Sequence, residues 1–157
     1  MKLYFLRHAD ALDGHDDDAR PLSARGQREA NAIGEFLKRA RIAPDAAYAS
    51  PTLRTRQTVE IALKVCSEIR GKPDEALRNE TPQDAFELWL AQLPAARHLL
   101  LVGHAPTLAE RVGVLLGFKN LNALALPKAG LVCVETADRR RASLLFYVTP
   151  ALLGISS

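Results

Sequence analysis

The sequence has few of the residues that build disulfide frameworks or metal knuckles. Its 157 residues include two cysteines, Cys66 and Cys133, which lie far apart and show no paired spacing. A disulfide framework needs several cysteines and a metal knuckle needs cysteines at paired spacing, so the sequence indicates neither. Each cysteine falls within an apolar pattern, where we expect a small core side chain.

Long apolar runs are also missing. No uninterrupted run approaches the roughly 20 residues that a membrane helix needs. The apolar stretch after Lys2 ends at Arg7, which is too early for a secretory signal. We therefore expect a cytoplasmic protein with no membrane contact.

The chain has no strong excess of one charge and no nucleotide-binding loop. Its 21 Lys and Arg against 18 Asp and Glu give a net charge of +3, which favours anionic partners only weakly. The basic cluster 139–141 lies between two strand-like runs without interleaved aromatic residues, so it indicates a hairpin tip and not a nucleic-acid surface. No glycine-rich loop precedes Lys-Ser or Lys-Thr, which argues against a nucleoside-triphosphate site.

The composition that is present is that of an ordinary globular protein. Apolar residues make up 48% and charged residues 25% of the chain, as in typical soluble domains. A chain of this length can bury a substantial core without covalent staples. We predict a single domain over residues 1–157.

Strand-like and helix-like patterns alternate through the first two thirds of the chain. The predicted strands cover residues 3–6, 46–49, 75–77 and 99–102, followed by a hairpin of 131–135 and 143–148. The predicted helices begin near Ser23, at Ser50-Pro51, near Gln83 and at Pro106, and the second and fourth end at Gly71 and Gly117. Such alternation implies right-handed crossovers. We predict an α/β three-layer sandwich, with a mostly parallel central sheet, helices on both faces and an antiparallel edge hairpin.

Polar side chains follow three of the predicted strands. Arg7 and His8 come after the first strand, Arg54 lies in the first turn of the helix after the second, and His104 follows the most apolar strand. The carboxyl ends of parallel strands meet at one edge of a sheet, where such folds bind their ligands. If these strands are neighbours, two arginines and two histidines converge on one crevice.

Such a crevice suits a phosphoryl group. Guanidinium groups offer forked donors that match phosphate oxygens, and they keep their charge at any ordinary pH. A neutral imidazole is a competent nucleophile toward phosphorus, and a second histidine can donate to the phosphoryl oxygens or to the leaving group. Phosphoryl transfer depends chiefly on positioning and on neutralising spread negative charge, which this residue set can provide.

An acidic loop, "DGHDDDARP", follows the first strand. It holds one histidine and four aspartates, namely Asp13, Asp16, Asp17 and Asp18. The spacing matches no calcium loop and no helical pair of histidines, so we predict a solvated loop and no metal site. The sequence leaves open whether this loop gates the crevice or contacts a partner.

Three motifs occur in a familiar order: "LRHAD", "SPTLRTRQT" and "LVGHAP". Together they resemble the histidine phosphatase superfamily, the phosphoglycerate mutase-like proteins, whose hallmark is Arg-His-Gly after the first strand. The short chain, "ARPLSARG", "ETPQD" and "TPALL" look like its compact branch, the SixA-type phosphohistidine phosphatases. The resemblance implies that His8 is the nucleophile, that Arg7, Arg54 and His104 bind phosphate, and that no cofactor is needed.

Two further roles come from the resemblance alone. Arg20 matches a loop position that can reach the phosphate, and Glu80 falls where many members place a general acid. Ala9 replaces the hallmark glycine, which costs about 1 kcal/mol if the backbone there needs a positive φ and is otherwise harmless. The large insertions and the glycine-rich loop of the mutases have no counterpart, which argues against mutase activity.

An open site without such insertions suits a protein substrate. The resemblance therefore implies a phosphatase acting on phosphohistidine of a signalling protein, through a phosphohistidine intermediate of its own. Two alternatives stay open from the sequence. One is a general phosphomonoesterase for small molecules, and the other is a non-catalytic module that binds phosphoproteins.

Overall fold

The computed structural model describes residues 1–156, which form a six-stranded sheet in the order β3-β2-β4-β1-β5-β6. The strands are β1 (Lys2–Arg7), β2 (Ala46–Ala49), β3 (Lys72–Pro73), β4 (His98–Gly103), β5 (Leu131–Thr136) and β6 (Ala142–Val148). The first four are mutually parallel, whereas β5 pairs antiparallel with β1 and β6 antiparallel with β5.

Four α-helices cover the sheet, two on each face. They are α1 (Ala24–Arg39), α2 (Leu53–Cys66), α3 (Gln83–Gln92) and α4 (Thr107–Leu116). Tyr4 and Leu6 of β1 point to the side covered by α1 and α2, while Leu3 and Phe5 point to the side covered by α3 and α4. Because both faces of β1 are covered, its side chains are apolar on both, as in buried parallel strands. The predicted three-layer α/β fold with an antiparallel edge hairpin is confirmed.

The order of the strands decides which side chains meet. β4 lies between β1 and β2, so the three strand ends singled out in the sequence are neighbours. Arg7 is in register with Gly103, and Ala49 with Val102. The carboxyl ends of the three strands therefore lie side by side at one edge.

Helix α2 begins later and ends earlier than the sequence pattern indicates. Its first residue is Leu53 and its N-cap is Thr52, not Ser50. The Ser50 amide continues the sheet by donating to the Val102 carbonyl (3.0 Å), so Ser50 belongs to the end of β2. The helix ends at Cys66 and not at Gly71, because Ser67 is extended and its hydroxyl donates to the Pro44 carbonyl (2.8 Å).

The weak strand predicted at 75–77 is also wrong. Glu75–Leu77 is a 3₁₀ turn, and the edge strand β3 lies just before it. The Asp74 carboxylate accepts from the Ala76 amide (2.9 Å), an Asx-type cap that favours a turn over a strand. Two other 3₁₀ turns occur at Asp17–Ala19 and Pro150–Leu153. No helix within residues 1–156 combines the length and apolar character needed to cross a bilayer.

Candidate active site

Two histidines lie next to each other at the ends of the central strands. The His8 amide donates to the Gly103 carbonyl (3.0 Å), which extends the pairing of β1 with β4 by one residue. The imidazole centroids of His8 and His104 are 5.3 Å apart, with the rings inclined at 59°. Both residues are buried, at 7% and 6% exposure. The sheet register therefore fixes the distance between the two rings.

The hydrogen bonding of His8 defines its tautomer. Nδ1 lies 2.8 Å from the carbonyl oxygen of Ala9. A carbonyl only accepts, so Nδ1 carries the proton and the neutral ring has its lone pair on Nε2. The pKa of His8 is lowered to about 4, chiefly by burial and to a smaller extent by the nearby charges of Arg54 and Arg7. At neutral pH His8 is therefore an uncharged base with Nε2 available as a nucleophile.

His104 is held from its opposite side. Its Nε2 lies 2.9 Å from the Ser50 hydroxyl, and its Nδ1 lies 3.4 Å from Nη2 of Arg54. A guanidinium only donates, so Nδ1 is the acceptor and Nε2 donates to Ser50. The pKa of His104 is lowered to about 3, chiefly by burial and to a smaller extent by the proximity of His8 and Arg54. A phosphoryl dianion beside this ring would favour its protonated form, in which Nδ1 can donate.

Arg54 reaches the same point from the first turn of α2. The residue is 7% exposed, and its terminal nitrogens bond to Asp17: Nη1 to the main-chain oxygen (2.7 Å) and Nη2 to the carboxylate (3.1 Å). Its Nε is buried without a hydrogen-bond partner among the described residues. Arg54 thus has an unused donor in a buried, electropositive position.

Arg7 supplies a second buried guanidinium. Its Nη1 donates to the Leu126 carbonyl (2.9 Å), and its Nε, like that of Arg54, finds no partner within residues 1–156. Burial lowers the pKa of Arg7 from its ordinary value. Buried donors are nearly always bonded in folded proteins, but Nε of Arg25 and of Arg111 is also unpaired. What indicates a place for an anion is that Arg7 and Arg54 both lie close enough to His8 for their charges to lower its pKa.

A cavity of about 260 Å³ opens beside His8, Arg54 and His104, whereas Arg7, the residue before His8, is not one of its lining residues. Its lining residues come from five segments of the chain: His8, Asp17, Asp18, Thr52, Arg54, Arg78, Asn79, Glu80, His104 and Ala105. A larger cavity of about 380 Å³ lies at the opposite end of the sheet, where its walls include Met1, Lys2 and His98. A cavity of about 440 Å³ between α3, α4 and the 139–140 turn is larger still, so size does not mark the site.

The structure brings together His8, Arg54 and His104, and it places Arg20 and Glu80 in outer positions. Arg20 donates from Nη1 to the Asp17 carboxylate (3.0 Å) and from Nε to the Leu12 carbonyl (2.8 Å), and it is not one of the cavity-lining residues. Glu80 lines the cavity with its side chain 73% exposed. Arg20 thus contacts the site through Asp17, and Glu80 lies at its mouth.

Ala9, which departs from the hallmark triplet, fits its place without strain. The non-glycine residues with positive φ in the described chain are Arg41, Ala129 and Arg139, so Ala9 has an ordinary backbone conformation. Its amide donates to the Thr58 hydroxyl (3.0 Å), which in turn donates to the Arg54 carbonyl (2.7 Å). Of the two outcomes considered for this substitution, the structure supports the harmless one.

Behind the site, a glycine allows the chain after His8 to pack against α1. A Cβ on Gly26 would lie 1.9 Å from the main-chain oxygen of Asp10. Ser23 fixes the same contact, because its hydroxyl donates to the Asp10 carboxylate (2.6 Å) and accepts from the Gly26 amide (3.0 Å). Only glycine fits this close approach, which positions the backbone two residues after the proposed nucleophile.

The sequence gives little sign of the residues that hold the cavity wall at 76–81. Arg111 is 1% exposed and donates to the carbonyls of Ala76 (2.7 Å) and Thr81 (2.8 Å). Its guanidinium carbon lies 4.2 Å from the centroid of the Phe86 ring. These bonds fix both ends of the segment that carries Arg78 and Glu80. In the sequence, Arg111 stands out only as an arginine among the apolar residues of α4. The pattern does not show which segment it binds, because its partners lie 30 or more residues earlier in the chain.

The chemistry of the side chains around the cavity suits an anion. Among residues 1–156, no group of three or more His, Cys, Asp or Glu side chains is placed to bind a metal. The buried guanidinium of Arg54, the imidazoles of His8 and His104 and an exposed acidic rim surround a cavity large enough for a phosphoryl group. The fold and the site together define an α/β protein with a cavity lined by basic and imidazole side chains at the carboxyl ends of its strands.

The chain belongs to the histidine phosphatase superfamily, branch 1, whose family model matches residues 3–81. The match includes His8 and Arg54, and it confirms the resemblance found in the motifs. The protein is thus an enzyme of this superfamily, with SixA proteins among its homologues.

Three relatives show how far the similarity extends. A protein of Picosynechococcus sp. is 32% identical over 147 residues, covering 89% of this chain and 88% of that one. The phosphohistidine phosphatase SixA of Escherichia coli is 29% identical over 114 residues, covering 66% and 71% of the two chains. The structure of the protein histidine phosphatase SixA complexed with tungstate superposes with a TM-score of 0.87 at 22% identity, covering 98% of this chain and 99% of that one.

Proposed function

We propose that this protein is a phosphohistidine phosphatase that removes the phosphoryl group from a histidine of a partner signalling protein, through an intermediate on His8. The observation that carries the proposal is the His8 tautomer. Nδ1 is fixed by the Ala9 carbonyl at 2.8 Å, and Nε2 is left as an unprotonated nucleophile beside Arg54 and His104.

In the first step, His8 Nε2 attacks phosphorus in line with the bond to be broken. The substrate ring is protonated on its other nitrogen, so that when its P–N bond breaks the electron pair stays on the departing nitrogen and a neutral imidazole leaves, while the new P–N bond forms at His8. The ring then carries positive charge, which Nδ1–H shares with the Ala9 carbonyl. Arg7, Arg54 and protonated His104 offset the charge on the phosphoryl oxygens.

In the second step, water attacks the phosphorus of phospho-His8. The bond to Nε2 breaks, the electron pair returns to the ring, and inorganic phosphate leaves with the remaining proton of the water passed to solvent or to a site base. The buried position of His8 restores its neutral form at neutral pH, because its pKa lies at about 4. The ring is then ready for another cycle.

The position of Glu80 supports a histidine leaving group over an alkoxide. An alkoxide needs a well-placed acid, whereas an imidazole leaves with less help. Glu80 is 73% exposed, and its carboxylate lies 4.0 Å from Nη1 of Arg78. Glu80 nevertheless lines the cavity, and this observation makes a general phosphomonoesterase the second candidate function.

Turnover of the two substrate classes separates these functions. We expect the wild-type protein to hydrolyse a phosphohistidine protein with a kcat/KM at least about tenfold above that for glycerol phosphate, an alkyl phosphate whose alkoxide leaving group needs an acid. Glu80→Gln should change the first rate less than about twofold and lower the second about tenfold or more. The matched control is Glu87→Gln, an exposed carboxylate on α3. A preference for esters would contradict the proposal, and absence of turnover on both classes would favour a binding module.

A further inference from the structure

The 3₁₀ turn at Asp17–Ala19, here called the acidic turn, lies against the proposed phosphate site. Arg54 bonds to both the main-chain oxygen and the carboxylate of Asp17, and the same Nη2 that donates to the carboxylate lies 3.4 Å from His104 Nδ1. A phosphoryl oxygen between Arg54 and His104 would therefore come close to the Asp17 carboxylate. Two anions at one guanidinium repel each other, so Asp17 opposes phosphate binding.

A second ion pair holds the acidic turn from the other side of the cavity. Arg78 donates from Nη1 and Nη2 to the two carboxylate oxygens of Asp18, at 3.3 and 3.2 Å. Its Nε bonds to Glu75, which orients the guanidinium toward the turn. The turn is thus bonded through Asp17 to Arg54 and Arg20, and through Asp18 to Arg78.

The exposures of these side chains show which partners can separate. Asp17 and Asp18 are 66% and 53% exposed, whereas Arg54 and Arg78 are 8% and 23% exposed. Ion pairs this exposed are weak. A substrate that makes further contacts can therefore displace the carboxylates while the guanidinium groups stay in place.

We propose that the acidic turn is a gate on the phosphate site and that Asp18 and Arg78 are the positioning pair that keeps it closed. This inference rests on the proposed function, since it assumes that Arg54 binds the phosphoryl group. A closed gate weakens the binding of small anions, including the product phosphate. It weakens the binding of a phosphoprotein less, because the additional contacts of the phosphoprotein can offset the free energy needed to open the gate. Arg78 and Asp18 are therefore specificity-determining residues that act through Asp17.

Binding of inorganic phosphate to Arg78→Gln gives the sharpest test. If Arg78 acts only through its positive charge, its removal weakens phosphate binding; if it holds the gate closed, its removal strengthens binding. We expect the Kd for phosphate, measured by titration calorimetry, to fall about three- to tenfold in Arg78→Gln and in Asp18→Asn. Arg78→Lys keeps the charge but loses the forked contact, and we expect it to shift the Kd in the same direction.

Three further measurements separate the gate from general electrostatics. Asp13→Asn removes the same charge from the same loop without touching the ion pairs, and its Kd should stay within about twofold of wild type. The double variant Asp18→Asn with Arg78→Gln should bind phosphate no tighter than the tighter single variant, since both changes open one gate. With a phosphoprotein substrate, the opened variants should show stronger product inhibition by phosphate, with no matching gain in kcat.

Two results would contradict the proposal that the acidic turn is a gate. One is a phosphate Kd in Arg78→Gln that is equal to or weaker than that of wild type; the other is an equal gain in Asp13→Asn. The proposed function fails in a different way, namely if the wild-type protein binds no phosphate or if Arg54→Gln leaves its Kd unchanged. In that case the Arg54 site itself is wrong, whatever the Arg78 variants show.

Discussion

The inner and outer parts of the cavity are built on different principles. The inner part, made of His8, Arg54 and His104, is buried and fixed by sheet register and backbone hydrogen bonds. The outer part lies on two 3₁₀ turns and the segments next to them, where exposed ion pairs hold the side chains. Buried, strand-fixed groups keep the geometry that phosphoryl transfer needs, whereas exposed ion pairs can change partners.

The difference assigns a separate task to each part. Chemistry depends on groups that cannot move apart without disrupting the sheet, so substitutions there should abolish turnover. Choice of substrate depends on the acidic turn and on the 75–81 segment, so substitutions there should change affinity and preference. The gate proposed above and the expected tolerance of Glu80→Gln both belong to the outer part.

The largest effect we expect from a change that keeps charge is at Arg54. Arg54→Lys retains the cation but loses the forked donors that match phosphoryl oxygens. We expect kcat/KM to fall about a hundredfold or more, while circular dichroism shows an unchanged fold. The matched control is Arg56→Lys, two residues along the same helix and exposed, which should keep wild-type kinetics. Near-wild-type activity in Arg54→Lys would remove Arg54 from the inner part.

A smaller effect concerns stability and acid. Burial lowers the pKa of His8 to about 4 and of His104 to about 3, against an ordinary value of 6.5. Between about pH 6.5 and pH 4 the unfolded chain takes up protons that the folded chain resists. The free energy of unfolding should therefore be highest above pH 6.5 and fall with decreasing pH, by up to about 1.4 kcal/mol per pH unit for each ring.

Urea unfolding at several pH values measures this slope. In His8→Gln the fall between pH 6.5 and pH 4 should be shallower by up to about 1.4 kcal/mol per pH unit, because one buried ring is removed. The same change at the exposed His15 is the control and should leave the slope as it is in wild type. Equal slopes in His8→Gln and wild type would show that the His8 ring is readily protonated in the folded protein.

The inner part could be predicted from the sequence because it depends on a local pattern that occurs three times, namely a short apolar run followed by polar residues. Short apolar runs predict β1, β2 and β4, and parallel strands bring their carboxyl ends to one edge. His8 and His104 follow β1 and β4 directly, so their meeting required only that these strands be neighbours. The edge hairpin and the start of α3 at Gln83 were likewise predicted from the local sequence pattern.

The outer part could not be predicted, because it depends on pairs distant in the chain. Arg78 meets Asp18 across 60 residues, and Arg111 fixes a segment 30 or more residues before it. Ser50 reads as a helix cap, yet its amide and hydroxyl bond to Val102 and His104. The local pattern gives the wrong result for Ser50 because its amide and its hydroxyl form hydrogen bonds with residues distant in the sequence.

Trapping the phosphorylated enzyme tests the central claim most directly. The protein is mixed with a phosphohistidine protein labelled with ³²P and denatured at alkaline pH, and the labelled residue and nitrogen are then identified by peptide mapping and NMR. We expect the label on His8, bonded to Nε2, and none on the chain in His8→Gln. Label on another residue, on His8 Nδ1, or persisting in His8→Gln would contradict the account.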